Sequence, residues 1–270
     1  MKKLKIILNI FYNPTDELKN IIEKNKDIYI PINGGSLLKD DEWCKLNLYF
    51  DNVGDDNISH KNKLLNEFTS IYWVYKNYDK IGNPDYIGFN HYRRLFNLDS
   101  IKDYENYDCI FVKPQRIINP PLENQYKRCH HIEDLNIFYN IINNVLNEDY
   151  KIKFETYMKK INILFAPYNM FIFRKDFFFN YCNIIFTKLL PELEKNININ
   201  DRSNYQKRAI CFLMERFFSF LACNLYLDKN VKCKMVNCER HLDFKPEDLS
   251  TENEKNPKYR NIKDKSIFYK

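Results

Sequence analysis

The chain has 270 residues, 44% hydrophobic and 29% charged, which suits one large folded domain and excludes a disordered, collagen-like or low-complexity protein. Its 42 basic and 36 acidic residues leave a net charge of +6, too thin an excess to indicate nucleic acid, though consistent with an anionic small ligand or a membrane surface. The 20 Tyr and 21 Phe beside only 5 Gly accompany many Asn, Lys and Ile, a bias that reflects nucleotide composition as much as selection.

Residues 4–11 form a short apolar run bounded by turn residues and read as a strand buried on both faces. The basic start ahead of it mimics a signal peptide, yet no small-residue cleavage site follows, and Asn9 with the polar segment 12–16 ends the run early. No stretch nears the roughly 20 uninterrupted apolar residues of a membrane-spanning helix, so the expected compartment is the cytoplasm. A second strand over residues 28–32 closes in the turn Pro31-Ile32-Asn33-Gly34-Gly35. In the polar loop 51–59, Asp56 or Ser59 is suited to cap the next helix. That helix is predicted over residues 62–78, with Leu64, Leu65, Phe68, Ile71, Tyr72 and Tyr75 on its core face and Asn62, Asn66, Thr69, Trp73 and Asn77 opposite. A tryptophan among polar groups calls for a cover, from another segment or from a ligand.

Asn83-Pro84-Asp85 breaks the helix, and residues 86–89 read as a strand running straight into Asn90-His91-Tyr92-Arg93-Arg94. Strands at 108–112 and 170–173 alternate with helices at 132–146, from Asp176 onward, and at 202–227, the last with Ile210, Leu213, Met214, Phe217, Leu221 and Leu225 as its core stripe. This alternation predicts an α/β layer with a mostly parallel central sheet, its ligand beyond the carboxyl ends of the strands. From Glu239 the chain turns polar, which divides it into a domain over 1–238 and a tail over 239–270. No internal repeat is present. Eight cysteines, at 44, 109, 129, 182, 211, 223, 233 and 238, are scattered through apolar segments as reduced thiols would be. Neither Cys233, Cys238 and His241 nor Cys129-His130-His131 has the paired spacing of a zinc site, and ordinary structure is favoured for both.

His91-Tyr92-Arg93-Arg94 stands where an α/β sheet places ligand-binding groups. Two adjacent guanidiniums suit an anion, and their forks match the oxygens of a diphosphate; a surface arginine pair bonded to carboxylates is the plainer alternative. The loop with Asp56, Asn57 and Ser59 offers carboxylate, amide and hydroxyl groups before a helix start, for a sugar hydroxyl or simply for a cap and an Asx turn. Asp55-Asp56 could hold magnesium but lacks a preorganised oxygen set. On the long helix, Arg208, Glu215 and Arg216 lie away from the apolar stripe, where Glu215 is a candidate general base or half of a solvated ion pair. Asn169 precedes a strand with its role open. Gly-x-Gly-x-x-Gly, phosphate-loop, His-Glu-x-x-His and Gly-x-Ser-x-Gly motifs are missing, which disfavours dehydrogenase, kinase and serine hydrolase.

Three ordered motifs carry a family resemblance: Asp56-Asn57-Ile58-Ser59 with Lys61-Asn62; Glu67-Phe68-Thr69-Ser70-Ile71-Tyr72-Trp73-Val74-Tyr75-Lys76-Asn77; and Asp85-Tyr86-Ile87-Gly88-Phe89-Asn90-His91-Tyr92-Arg93-Arg94. With Asn169-Met170-Phe171-Ile172, Tyr181-Cys182, Arg208 and Glu215-Arg216 they resemble the bacterial capsule and O-antigen biosynthesis domain of formerly unknown function, DUF4422, grouped with glycosyltransferase family 111, over roughly residues 3–228. The resemblance implies a GT-A-like nucleotide-sugar fold with a helical C-terminal part. It also implies transfer of a sugar, galactofuranose, from a UDP-sugar to a lipid-linked capsule or O-antigen acceptor with inversion. In that reading His91, Arg93, Arg94 and Glu215 are catalytic, and Asp56, Asn57, Ser59, Asn62, Trp73, Tyr92, Asn169, Arg208 and Arg216 bind donor or acceptor. No cofactor is implied: the guanidiniums stand in for a metal, with magnesium or manganese left open, and nucleic acid is not a partner. The expected location is cytoplasmic, with peripheral association with the inner membrane or with other glycan-assembly enzymes. Another UDP-hexose donor and a noncatalytic glycan-binding module are the competing readings. Tyr12-Asn13 and Asn33 stand where the family often has histidines, which puts the donor sugar in question.

Overall fold

The computed structural model describes residues 2–11, 16–35, 49–91, 94–117, 121–161 and 163–240. Seven strands form the central sheet: β1 (Leu4–Ile10), β2 (Tyr29–Asn33), β3 (Tyr49–Phe50), β4 (Tyr86–Asn90), β6 (Cys109–Val112), β9 (Phe171–Arg174) and β10 (Cys233–Val236), in the spatial order β10-β6-β9-β4-β1-β2-β3. All run parallel except β9, which pairs antiparallel with both β4 and β6. Two antiparallel pairs lie outside it, β5 (Arg94–Phe96) with β11 (Cys238–Arg240) and β7 (Gln115–Ile117) with β8 (Ile163–Phe165). The expected α/β architecture with a mostly parallel sheet is therefore present. β3 escaped the sequence reading because it has two residues, and β10 and β11 because they are short and mixed in polarity; the pairing of β11 continues through Arg240.

The helices are α1 (Asp16–Lys24), α2 (Asn62–Leu65), α3 (Phe68–Lys76), α4 (Leu122–Cys129), α5 (Ile132–Val145), α6 (Glu148–Lys159), α7 (Lys175–Cys182), α8 (Leu190–Asn196) and α9 (Ala209–Leu227). Side chains alternate across each strand, so neighbours on one strand feed opposite faces. Ile7, Phe89, Phe111 and Phe171 join the large core with α3, α5, α7 and α9, while Ile6, Tyr86, Ile110 and Ile172 join a smaller one. Aromatic residues fill the larger core: Phe171 stacks on Phe173 with ring centroids 4.3 Å apart and lies 5.2 Å from Phe89. Each fully buried phenylalanine contributes about 1.5–3 kcal/mol of burial, so the aromatic content is structural whatever its codon origin.

Two helices differ from expectation. The single helix predicted over 62–78 is two, broken at Asn66, whose φ of 49° is left-handed. The long helix begins at Ala209 after a 3₁₀ turn over Gln206–Arg208, and this 22-residue run is long and apolar enough to cross a membrane. More than half of it is buried within the protein, packed on the sheet.

Candidate functional site

From β1 the chain winds outward to β2 and β3, then returns to β4 on the other side of β1. Strand order reverses there, and a crevice opens beyond the carboxyl ends of such strands. β2 ends in Asn33-Gly34-Gly35, where a side chain is excluded: a Cβ on Gly34 would lie 2.6 Å from Asn9 Oδ1, and one on Gly35 (φ +67°) 2.6 Å from Asn62 Cγ. Because β9 runs backwards, it starts at this edge. The register Phe89 to Phe171 sets Tyr168, Asn169 and Met170 beside Asn90 and His91.

Arg94 N–H donates to the His91 carbonyl at 2.9 Å, which holds the start of β5 beside the end of β4. Arg94 is buried, with its guanidinium 3.7 Å above the Tyr168 ring, and the His91 ring lies 5.4 Å from the same tyrosine. Arg94 is thus a stacked cation held inside the edge rather than a free one at a surface tip. Tyr92 and Arg93 lie outside the described residues.

Carboxylates gather on the other side of Tyr168. Its backbone N–H donates to Glu215 Oε1 at 3.1 Å, and Asn169 Nδ2 donates to Glu67 Oε1 at 2.6 Å. The Asn66 amide turns its oxygen to Arg208, accepting from Nε at 3.2 Å and Nη2 at 2.6 Å, since a guanidinium only donates. Of the four non-glycine residues with positive φ among those described, Asn66 (49°), Tyr168 (81°) and Asn169 (49°) all stand here. Such conformations cost of order 1–3 kcal/mol each, and they persist because these hydrogen bonds hold them. Burial pushes the Glu67 carboxyl up to about 7; the Asn169 hydrogen bond opposes this, Glu215 adds to it, and Arg208 draws it down.

The direction of that shift has a stability consequence. An unfolded glutamate titrates near 4.3, so between about pH 4.5 and 7 the folded chain binds the extra proton, and stability falls as pH rises through that window. Glu67→Gln keeps an oxygen for Asn169 and removes the titration. Its melting temperature is expected to match wild type at pH 4.5 and to exceed it at pH 8, as differential scanning calorimetry would show.

The sequence reading named Glu215, His91, Arg94, Asn169 and Arg208, and the structure brings these together; it did not name Glu67 as a site residue. Glutamate is an ordinary helix former, and only the break at Asn66 turns position 67 towards Asn169. Other candidates sit elsewhere. Ser59 and Asn62 belong to a buried network around Asp51, whose carboxylate accepts from Ser59 Oγ (2.5 Å), Gly35 N (2.7 Å) and Thr69 Oγ1 (2.7 Å) while Asn62 donates to Thr69 (2.9 Å). Asn57 staples its own loop, donating to the Gly54 carbonyl at 2.8 Å. Asp56 pairs with Lys76 and Tyr72 on the surface, and both hold its carboxyl below the usual range. Trp73 is covered by protein: it is fully buried, donates to the Val53 carbonyl at 2.9 Å and packs 5.6 Å from the Tyr49 ring. Arg216 is buried towards α4, donating to the Phe212 carbonyl and to Gln125 and lying 4.9 Å over Tyr126. His130 stacks on Phe212 at 4.2 Å, and burial with Arg216 nearby pushes its pKa down to about 2. Among the described residues no three His, Cys, Asp or Glu side chains gather as a metal would require.

The model of the family described as "Domain of unknown function (DUF4422)" matches residues 17–230. None of the curated proteins compared matches the chain. A solved structure described as the WbbM bifunctional glycosyltransferase in its apo form superposes with a TM-score of 0.71 at 23% identity, covering 89% of this chain. This chain spans 46% of that one, so the likeness concerns about half of it. It is a likeness of fold, in keeping with a GT-A-like α/β architecture.

Proposed function

The chain belongs to the DUF4422 family, and from that premise we propose that it is a glycosyltransferase moving a sugar from a nucleotide donor to a glycan. The observation that carries this reading is the pairing, at the carboxyl edge of β4, of a buried stacked guanidinium with a carboxylate cluster across one strained turn. A cation fixed at a departing diphosphate stabilises charge as it develops, and a carboxylate can take the acceptor's proton. The likeness to a bifunctional glycosyltransferase supports the same reading.

In its finer form the donor is UDP-galactofuranose, the acceptor a lipid-linked capsule or O-antigen glycan, and the linkage is inverted. Arg94, with Arg93 beside it in sequence, serves in place of a divalent ion. A lipid-linked acceptor would bring the enzyme to the cytoplasmic face of the membrane. A donor screen by UDP release tests this, with UDP-galactofuranose, UDP-galactopyranose and UDP-glucose offered alongside a synthetic lipid-linked acceptor. The expected result is saturable UDP binding and release from UDP-galactofuranose, unchanged in EDTA. Release from a different hexose donor would reassign the sugar, turnover restored only by manganese or magnesium would overturn the metal-free form, and glycan binding without UDP binding would point to a noncatalytic module.

A further inference from the structure

We infer that Glu67 is the residue that accepts the proton from the attacking hydroxyl, and that Glu215 is a positioning residue for it. The inference rests on the transfer reading above and assigns its missing proton acceptor. In the step, the acceptor hydroxyl oxygen bonds to the anomeric carbon as the bond from that carbon to the pyrophosphate oxygen breaks. The electron pair leaves with the UDP, on the Arg94 side, and the hydroxyl proton passes to the Glu67 carboxylate.

Three observations separate the two glutamates. First, Glu215 Oε1 is occupied by the Tyr168 backbone N–H, a bond that holds a residue at φ 81°; it fixes the turn on which Arg94 and His91 also rest. Second, Glu67 Oε1 accepts from the side-chain amide of Asn169 rather than from a backbone N–H, so its bond fixes no backbone turn. Third, Glu67 stands at the helix break, with Asn66 before it in sequence and Asn169 hydrogen-bonded to it, both at positive φ. A carboxylate aimed by two strained residues is one whose direction matters. Its raised proton affinity suits a base working near neutral pH.

The test compares wild type, Glu67→Gln and Glu215→Gln on the donor and acceptor found by the screen, with UDP affinity measured by calorimetry. Glu67→Gln is expected to lose about 10²–10⁴-fold in turnover while binding UDP within twofold of wild type. The rise of activity with pH through about 7 should disappear in this variant. Glu215→Gln should lower turnover and keep that rise, as a group that only positions its neighbours would. If Glu67→Gln melts too early to assay, Glu67→Asp replaces it, with weak turnover on a displaced pH profile expected. Glu67→Gln turning over within tenfold of wild type, or keeping the pH rise, overturns the assignment alone. A wild type that binds UDP and releases it from no donor, or binds none, overturns the transfer reading and this assignment with it.

Discussion

Replacing Arg94 by alanine is expected to lower turnover of the UDP-sugar by about 100- to 1000-fold, the usual effect of removing one preorganised donor from a developing anion. The expectation follows from placement. Arg94 is buried, its guanidinium carbon lies 3.7 Å over the Tyr168 ring, and it follows the strand where the sheet order reverses. A cation in such a site is weakly screened and needs little reorganisation when charge appears. Lysine should rescue poorly, because an ammonium neither stacks on the ring nor presents a planar fork. Buried arginine stems also pack, so both variants are to be melted alongside the assay. A loss of turnover with UDP affinity and melting unchanged locates the effect in the transition state, whereas near-normal turnover of Arg94→Ala removes this residue from diphosphate handling.

Trp73→Ala is the second large expected effect, and it falls on stability. Truncating a fully buried tryptophan costs about 3–5 kcal/mol, roughly 10 °C in melting temperature for a chain of this size. Trp73 packs against Tyr49 and donates to the Val53 carbonyl, so it ties the 49–53 segment to α3. Trp73→Phe keeps most of the volume and loses about 1 kcal/mol with the hydrogen bond. Calorimetric melting should show this order. A tryptophan that stacked on a sugar would instead leave melting alone and weaken ligand binding.

How much of this was legible before the fold follows from the kind of signal each residue gives. β1 and β4 could be read because both faces of each are buried, which makes an unbroken apolar run. The carboxyl end of β4 could be read as a ligand edge because alternation of strands and helices implies where crevices open. Asn66 could not: asparagine fits a polar helix face, and the left-handed turn it adopts comes from contacts with Arg208 and α9 distant in sequence. With the helix drawn unbroken, nothing set Glu67 apart from an ordinary helical glutamate. Trp73 was ambiguous for the converse reason, since its cover, the segment near Val53, lies twenty residues earlier and carries no apolar pattern. Arg216 seemed exposed on a helical wheel because α9 is buried nearly all round, a condition that periodicity does not reveal.

Tyr168 has a consequence of its own. Its ring supports the cation and its amide supports an anion, so one small unit serves both electrical poles of the crevice. Energies of substitutions on the two flanks then cannot sum independently, because each disturbs the common support. Retuning the leaving-group flank would perturb the nucleophile flank as well, so tolerated changes on the two would tend to arrive in matched sets.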